Sequence, residues 1–187
     1  MTIKNTFGNL LILETERLLL RSLSLDDVED LFEYASDPEV SKYNSWTVHK
    51  SLDDSKRFLN TVVERYKNHE LADWGIVHKA DKKLIGTCGL SSWIQDQRRA
   101  EIGYALSRKY WGKGYMPEAV RPVIAFGFRM MKLYRIEGRC IISNTASARV
   151  MEKVRMKFEG LLRQHLFTKG SFYDIKMYSI LREEWVI

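Results

Sequence analysis

The chain has 187 residues, 45% of them hydrophobic and 12% aromatic, which gives material for one well-packed domain and excludes a disordered segment. Its formal charge is +6, with 30 Lys and Arg interspersed among 24 Asp and Glu and no run of like charge. That balance argues against a dedicated nucleic-acid face and is compatible with a polyphosphate ligand.

No apolar run is long enough to span a bilayer, and the opening "MTIKNTFGNLLILETERLLL" lacks the plan of a signal peptide. The two cysteines, Cys88 and Cys140, each sit inside an apolar strand-like run without metal-ligand spacing. Buried free thiols, no metal site, no membrane partner and a cytoplasmic location are therefore expected.

In chain order, Glu16 to Ser24 reads as a first strand. Ser24 with Asp27 resembles a capping box, and Leu25, Val28, Leu31, Phe32 and Ala35 have helical spacing up to Pro38. A second Ser-x-x-Asp pair, Ser51 and Asp54, opens a helix whose apolar face holds Phe58, Leu59, Val62, Val63 and Tyr66. "WGIVH" and "KLIGTCGL" flank the turn "KADK" as a hairpin, and Ala100 to Leu106 makes a further strand. A helix from about Pro117 to Met131 follows, then a strand from Arg135 to Ile142 and a short helix from Ser147 to Val154. "EGLLRQHLFT" and "FYDIKMYSIL" close the chain as a hairpin about "KGS". This order predicts a single α+β layer fold in which Glu101 to Ile142 forms a right-handed parallel crossover.

The stretch "RKYWGKGYMPEA" places Gly112 and Gly114 between a strand and a helix. Pro117 fits the first helical position and Glu118 suits the positive end of the helix dipole. The glycines permit a tight arch over unpaired N–H groups, an anion site for which a diphosphate is the natural guest. Lys109 and Lys113 would add positive charge beside it. The plainer reading is a turn whose glycines only permit its shape. A dinucleotide-binding loop would need glycine at Pro117, and a Walker loop would need Ser or Thr at Gly114.

"EIGYALSRKYWGKGYMPEAV", "SNTASARVMEKV", "FEGLLRQH", the opening "ETERLLLR" and the closing Glu184-Trp185 together resemble the GNAT N-acetyltransferases over nearly the whole chain. More narrowly they are similar to the ribosomal-protein (Rim-type) N-terminal branch. The resemblance implies a single N-acetyltransferase domain over residues 1–187, with a three-layer fold. Its mixed, mostly antiparallel sheet would have six to seven strands, a splayed parallel pair and helices on both faces. It implies acetyl-CoA as co-substrate, its pyrophosphate held by amides of Trp111, Gly112, Lys113, Gly114, Tyr115 and Met116 with Lys109 alongside. Main-chain groups of Tyr104, Ala105 and Leu106 would hold the pantetheine arm and acetyl carbonyl, with Asn144 and Ser147 on the coenzyme. Asn144 and Ser147 also read as a helix-capping pair. The partner would be an amine acceptor, foremost a protein N-terminus such as that of a ribosomal protein, with room for a homodimer. The family ends the helix after Asn144 with glycine where this chain has Arg155. Either Arg155 takes a left-handed conformation at a cost of about 1 kcal/mol, or the helix ends differently.

Acetyl transfer to an amine needs a neutral nucleophile, an oxyanion donor and a proton for the leaving thiolate. An α-amine with pKa about 7.7–8.0 is partly neutral near pH 7.5, whereas a lysine near 10.4 is about one part in a thousand neutral. A weak base therefore suffices, and Glu101 is the candidate, against a reading as a solvated strand-end carboxylate. Ser147 resembles the branch's proton donor; Tyr104 is a second option, and Met151 stands where some relatives have a tyrosine. His165 reads better as a surface residue. Trp46, Trp93, Phe167 and Tyr173 are candidates for the acceptor walls, or for core. Alternatives are a small-amine enzyme acting on a polyamine, amino acid or aminoglycoside, and a non-catalytic coenzyme-A-binding module.

Overall fold

The computed structural model describes residues 7–8 and 10–185; the first residues of the segment read as lacking a signal-peptide plan lie outside it. One mixed sheet runs through the molecule. Its strands are β1 (Leu13–Glu14), β2 (Leu18–Arg21), β3 (Trp74–His78), β4 (Lys83–Ile94), β5 (Arg99–Leu106), β6 (Arg135–Ile141), β7 (Lys157–Thr168) and β8 (Ser171–Leu181). Their spatial order is β1-β2-β3-β4-β5-β6-β8-β7, so the described residues form eight strands rather than six or seven. The extra one is two-residue β1, which doubles back on β2 at the edge. Every pairing is antiparallel except β5 with β6.

The helices are α1 (Val28–Ala35), α2 (Pro38–Ser41), α3 (Leu52–Lys67), α4 (Tyr115–Arg129) and α5 (Thr145–Lys153). Leu84 to Leu90 of β4 are buried without a break, the pattern of a strand covered on both faces. On one face Thr87 meets Tyr34 of α1. On the other, Phe126 of α4 packs edge-on against Trp74 at 5.0 Å between ring centroids. The fold is thus the expected three-layer α+β arrangement.

Both Ser-x-x-Asp pairs form capping boxes. At the first, Ser24 N–H donates to Asp27 Oδ2 at 2.8 Å, and Arg21 grips the same carboxylate with two nitrogens at 2.6 and 2.8 Å. The first box opens a single 3₁₀ turn before α1. Pro38 does not simply end the helical segment: it starts α2, capped by Asp37. Cys88 and Cys140 are free and buried, and burial pushes both thiols up. Among the described residues no helix is long and apolar enough to cross a membrane.

Helix α4 starts at Tyr115, two residues earlier than expected, with Gly114 as its cap at φ +81°. Pro117 is therefore the third helical residue, where its missing N–H still costs nothing. Helix α5 begins at Thr145 and ends in a Schellman turn, Met156 N–H to Met151 O at 3.0 Å and Arg155 N–H to Glu152 O at 2.9 Å. Arg155 occupies the left-handed position at φ +66°, so the first of the two alternatives holds.

The sheet tolerates no side chain at Gly86. A Cβ there would lie 2.3 Å from Ala105 O and 3.1 Å from Leu106 Cα, both main-chain atoms of β5. Gly86→Ala should therefore destabilise the protein by about 1–3 kcal/mol. Differential scanning calorimetry should show a melting temperature lower by about 2–4 °C per kcal/mol.

Candidate active site

Strands β5 and β6 pair only over Arg99–Glu101 and Arg135–Glu137; beyond that they diverge. The gap opens into a cavity of about 690 Å³. One wall is β5 from Glu101 to Leu106, and the opposite wall is the end of β6 with the start of α5, including Asn144 and Ser147. The floor at one end is the α4 entry, with Trp111, Gly112, Gly114, Tyr115 and Met116. The far end is closed by residues 39–45 around α2 and by Leu166 and Ile175 of the last hairpin. Lys169 Nζ of that hairpin donates to Ser41 O at 2.6 Å and ties the two walls together. The structure thus gathers Glu101, Tyr104, Ala105, Leu106, the arch, Asn144 and Ser147 into one cleft.

Two expected residues stand outside it. Lys109 forms an ion pair with Glu33, and Lys113 leans over the Tyr110 ring at 5.7 Å; neither lines the cavity. Positive polarity at this end comes from the main chain instead. The amides of Gly112 to Met116 donate to no acceptor among the described residues, and they lead into a helix N-terminus. That is a set of aimed N–H donors suited to a diphosphate.

What holds the arch was not foreseen from the sequence. Arg17, in the β1–β2 turn, stacks its guanidinium 4.2 Å over the Tyr115 ring and donates Nη1 to Lys113 O at 3.1 Å. Its Nε bonds Glu118 Oε2 at 2.7 Å, while its backbone N–H and the Thr15 hydroxyl reach Oε1 at 2.9 and 2.6 Å. Partial burial raises the Glu118 carboxyl, but these hydrogen bonds outweigh it and hold the group below the usual carboxylate range. Glu118, read as a dipole partner, is thus the bracket that fixes the loop to the sheet edge.

Asn144 is the α5 cap: its Oδ1 accepts the Ser147 N–H at 3.1 Å. The capping is therefore Asn144's task, and the Ser147 hydroxyl is left to meet Tyr104 OH at 2.9 Å. Burial pushes the Tyr104 phenol up, so it stays protonated at neutral pH. The Leu106 carbonyl is occupied by the Trp111 indole N–H at 2.7 Å.

Glu101 sits where the strands part. Burial raises its pKa; Arg139, whose Nε lies 2.8 Å from Oε1, pulls the other way, and the Glu137 charge adds to the rise. The net direction is up. Arg139 was missed in the sequence because its role depends on lying diagonally across from Glu101. His165 is exposed but near enough to lower the Glu101 pKa slightly. Trp46, Trp93, Phe167 and Tyr173 do not line the cavity: Trp93 packs edge-on against Phe7, and Phe167 stacks on Phe172.

Removing the bracket should loosen the arch. Glu118→Ala removes the carboxylate that Arg17 and Thr15 share and should cost about 1–3 kcal/mol of stability by chemical denaturation. The native contribution is present at neutral pH and fades as acid titrates Glu118 through its depressed pKa, so wild type and variant should converge at low pH.

Comparison with known proteins accords with this geometry. Residues 17–157 match the family model described as an acetyltransferase (GNAT) domain. The uncharacterized N-acetyltransferase p20 of Bacillus licheniformis is 37% identical over 173 residues, covering 92% of this chain and 97% of that protein. The crystal structure of a GNAT-family acetyltransferase from Bacillus anthracis superposes with a TM-score of 0.83 at 32% identity, covering 93% of this chain and all of that one. RimL, a ribosomal L7/L12 α-N-protein acetyltransferase solved with coenzyme A, shares the fold with a TM-score of 0.81 at 18% identity, over 93% of this chain and 99% of its own. A cleft between splayed parallel strands, an amide-lined arch and these matches make the chain a member of the GNAT family, an N-acetyltransferase.

Proposed function

We propose that the protein transfers acetyl from acetyl-CoA directly to an α-amine at the N-terminus of a protein or peptide, both substrates being bound at once. The observation that carries this reading is Glu101: a half-buried carboxylate with raised pKa, at the mouth of the divergence between β5 and β6.

When bound, acetyl-CoA supplies an activated acyl group on sulfur. The amides of Gly112 to Met116 would hold its diphosphate, and the β5 edge from Tyr104 to Leu106 together with Asn144 would hold the arm. Gly112 and Gly114, at φ +75° and +81°, let the chain turn so that these N–H groups converge. Glu101 takes the proton of the attacking amine, directly or through one water. The Tyr104–Ser147 hydroxyl pair, 2.9 Å apart, bridges β5 to α5 and is the proton source for the departing sulfur. Tyr104 remains a donor because burial keeps it protonated.

The acceptor assignment rests on charge. The carboxylates facing the cleft are both matched, Glu39 to Lys42 at 3.5 Å and Glu101 to Arg139 at 2.8 Å. A polyamine site would present carboxylates in excess of cations. At the acceptor end these two pairs cancel, which suits one amine on an uncharged backbone, and RimL offers the precedent of an α-N-protein acetyltransferase in this fold.

Thiol release with a panel of acceptors tests the reading. A peptide with a free N-terminus should outpace both its N-blocked form carrying a lysine and spermidine. Faster turnover with spermidine would refute the acceptor class, and tight coenzyme binding with no turnover on any amine would make the protein a binding module. For the mechanism, Glu101→Gln should lower kcat/KM by about a hundred- to ten-thousandfold. In wild type, activity should fall as pH drops through the Glu101 pKa, which lies above the ordinary carboxylate range. Arg139→Gln removes the pull that opposes burial, so the acid limb of its pH–rate profile should move to higher pH.

A further inference from the structure

Three guanidiniums stand along the ladder of β5 and β6, and two of them are held through several nitrogens. Arg99 donates to Gln97 through Nε and to Glu137 through Nη1. Arg135 donates to Glu137 through Nε and to Glu159 through Nη1 and Nη2. Arg139 differs. Its Nε lies 2.8 Å from Glu101 Oε1, and its other two nitrogens meet no acceptor among the described residues. The side chain is 37% exposed and lines the main cavity. It is a planar donor fork, held in place at one edge by the Glu101 carboxylate.

The space beside the fork is left open by the sequence. The pairing of β5 with β6 ends at Glu101 opposite Glu137. Two residues further along each strand, past the point of divergence, come Gly103 and Arg139. Gly103 also lines the cavity, and a Cβ added there would meet nothing within 4 Å. At Gly86 close neighbours demand glycine; at Gly103 the missing side chain simply leaves room. Residues 101 and 103 point to one face of β5, so this bare stretch of backbone adjoins the Glu101 carboxylate. One space is thus bounded by a carboxylate, a donor fork and a strand position without a side chain.

We propose that Arg139 determines acceptor specificity: its free nitrogens donate to the carbonyl oxygen attached to the amine-bearing carbon, while Glu101 takes the amine. The inference rests on the α-amine reading above and adds to it the group that is read. In an α-aminoacyl unit the amine and the carbonyl share one carbon, as Glu101 and Arg139 stand side by side in the cleft. The bare backbone at Gly103 leaves room for the carbon that carries both. A lysine ε-amine and the amines of spermidine have no carbonyl at that place. They would cover the fork without giving it an acceptor, and an unmet donor is what separates one substrate from another.

Rates of thiol release with two matched acceptors test this. One is a short peptide that begins with alanine. The other is its (E)-alkene isostere, in which CH=CH replaces the first CO–NH and nothing can accept from the fork. The preference for the peptide, as a ratio of kcat/KM values, should be about ten- to a hundredfold smaller in Arg139→Met than in wild type, the range of a charge-assisted hydrogen bond. The basicity of each amine is common to both enzymes, and any effect on Glu101 is common to both acceptors, so both cancel in the double comparison. Arg139→Lys, which keeps a charge beside Glu101 without the planar fork, should lose most of the preference as well. An equal preference in wild type and Arg139→Met, with the peptide still ahead of spermidine, would overturn the role of Arg139 and leave the α-amine reading intact. If free alanine outpaced the peptide in wild type and lost that lead in Arg139→Met, the fork would read a carboxylate and the carbonyl assignment would be wrong. Spermidine ahead of the peptide in wild type would overturn both readings.

Discussion

Everything in this molecule that can perform chemistry follows from the short pairing of β5 with β6. The two parallel strands share only three register positions before they part. At those positions like charges face each other, Arg99 opposite Arg135 and Glu101 opposite Glu137. Directly opposed like charges are unfavourable, and the side chains resolve the conflict on the diagonals. Arg99 pairs with Glu137 at 2.8 Å and Arg139 with Glu101 at 2.8 Å, while Arg135 also binds Glu137 at 2.8 Å. The last diagonal spans the point at which the strands separate. The residue that keeps the divergence in register is thus the same carboxylate proposed as base, and its titration is coupled to the strand geometry.

The order of elements was readable because each carried its own local signal. The two Ser-x-x-Asp boxes, the period of α3 and the alternation of β6 are short-range patterns, and short-range physics decides them. The runs "WGIVH" and "KLIGTCGL" about a polar turn announced the hairpin of β3 and β4. The additions were small: two-residue β1 has no pattern of its own, and α2 is a single turn that Pro38 begins rather than prevents. The arch at Gly112 to Gly114 was readable for a similar reason, since two glycines ahead of a helix constrain the backbone whatever surrounds them.

Long-range partners were not readable. Glu118 looked like a helix-dipole residue, yet Thr15 and Arg17 bind it from about a hundred positions away in the chain. Lys109 looked like a phosphate ligand until Glu33 of α1 claimed it. Asn144 and Ser147 read as a capping pair; only the structure divides the work, leaving the cap to Asn144 and a hydroxyl contact with Tyr104 to Ser147. Arg155 was visible as a departure from a pattern, and the structure puts it at the left-handed position of the turn that ends α5.

The distribution of charge makes one design of these parts. At the reacting end, Glu101 and Arg139 neutralise each other, so an incoming amine meets neither a strong field that would hold it protonated nor an unpaired cation that would repel it. At the middle, neutral main-chain amides face the cleft, and the Arg17 guanidinium that holds the arch is spent on Glu118. Arg149 and Lys153, which form no ion pair with a carboxylate of the described residues, line the cavity along α5. A chain with a net charge of +6 could have lined the whole cleft with lysines. Balanced charge at Glu101 and cations along α5 let anion binding and amine deprotonation proceed in one cleft without opposing each other.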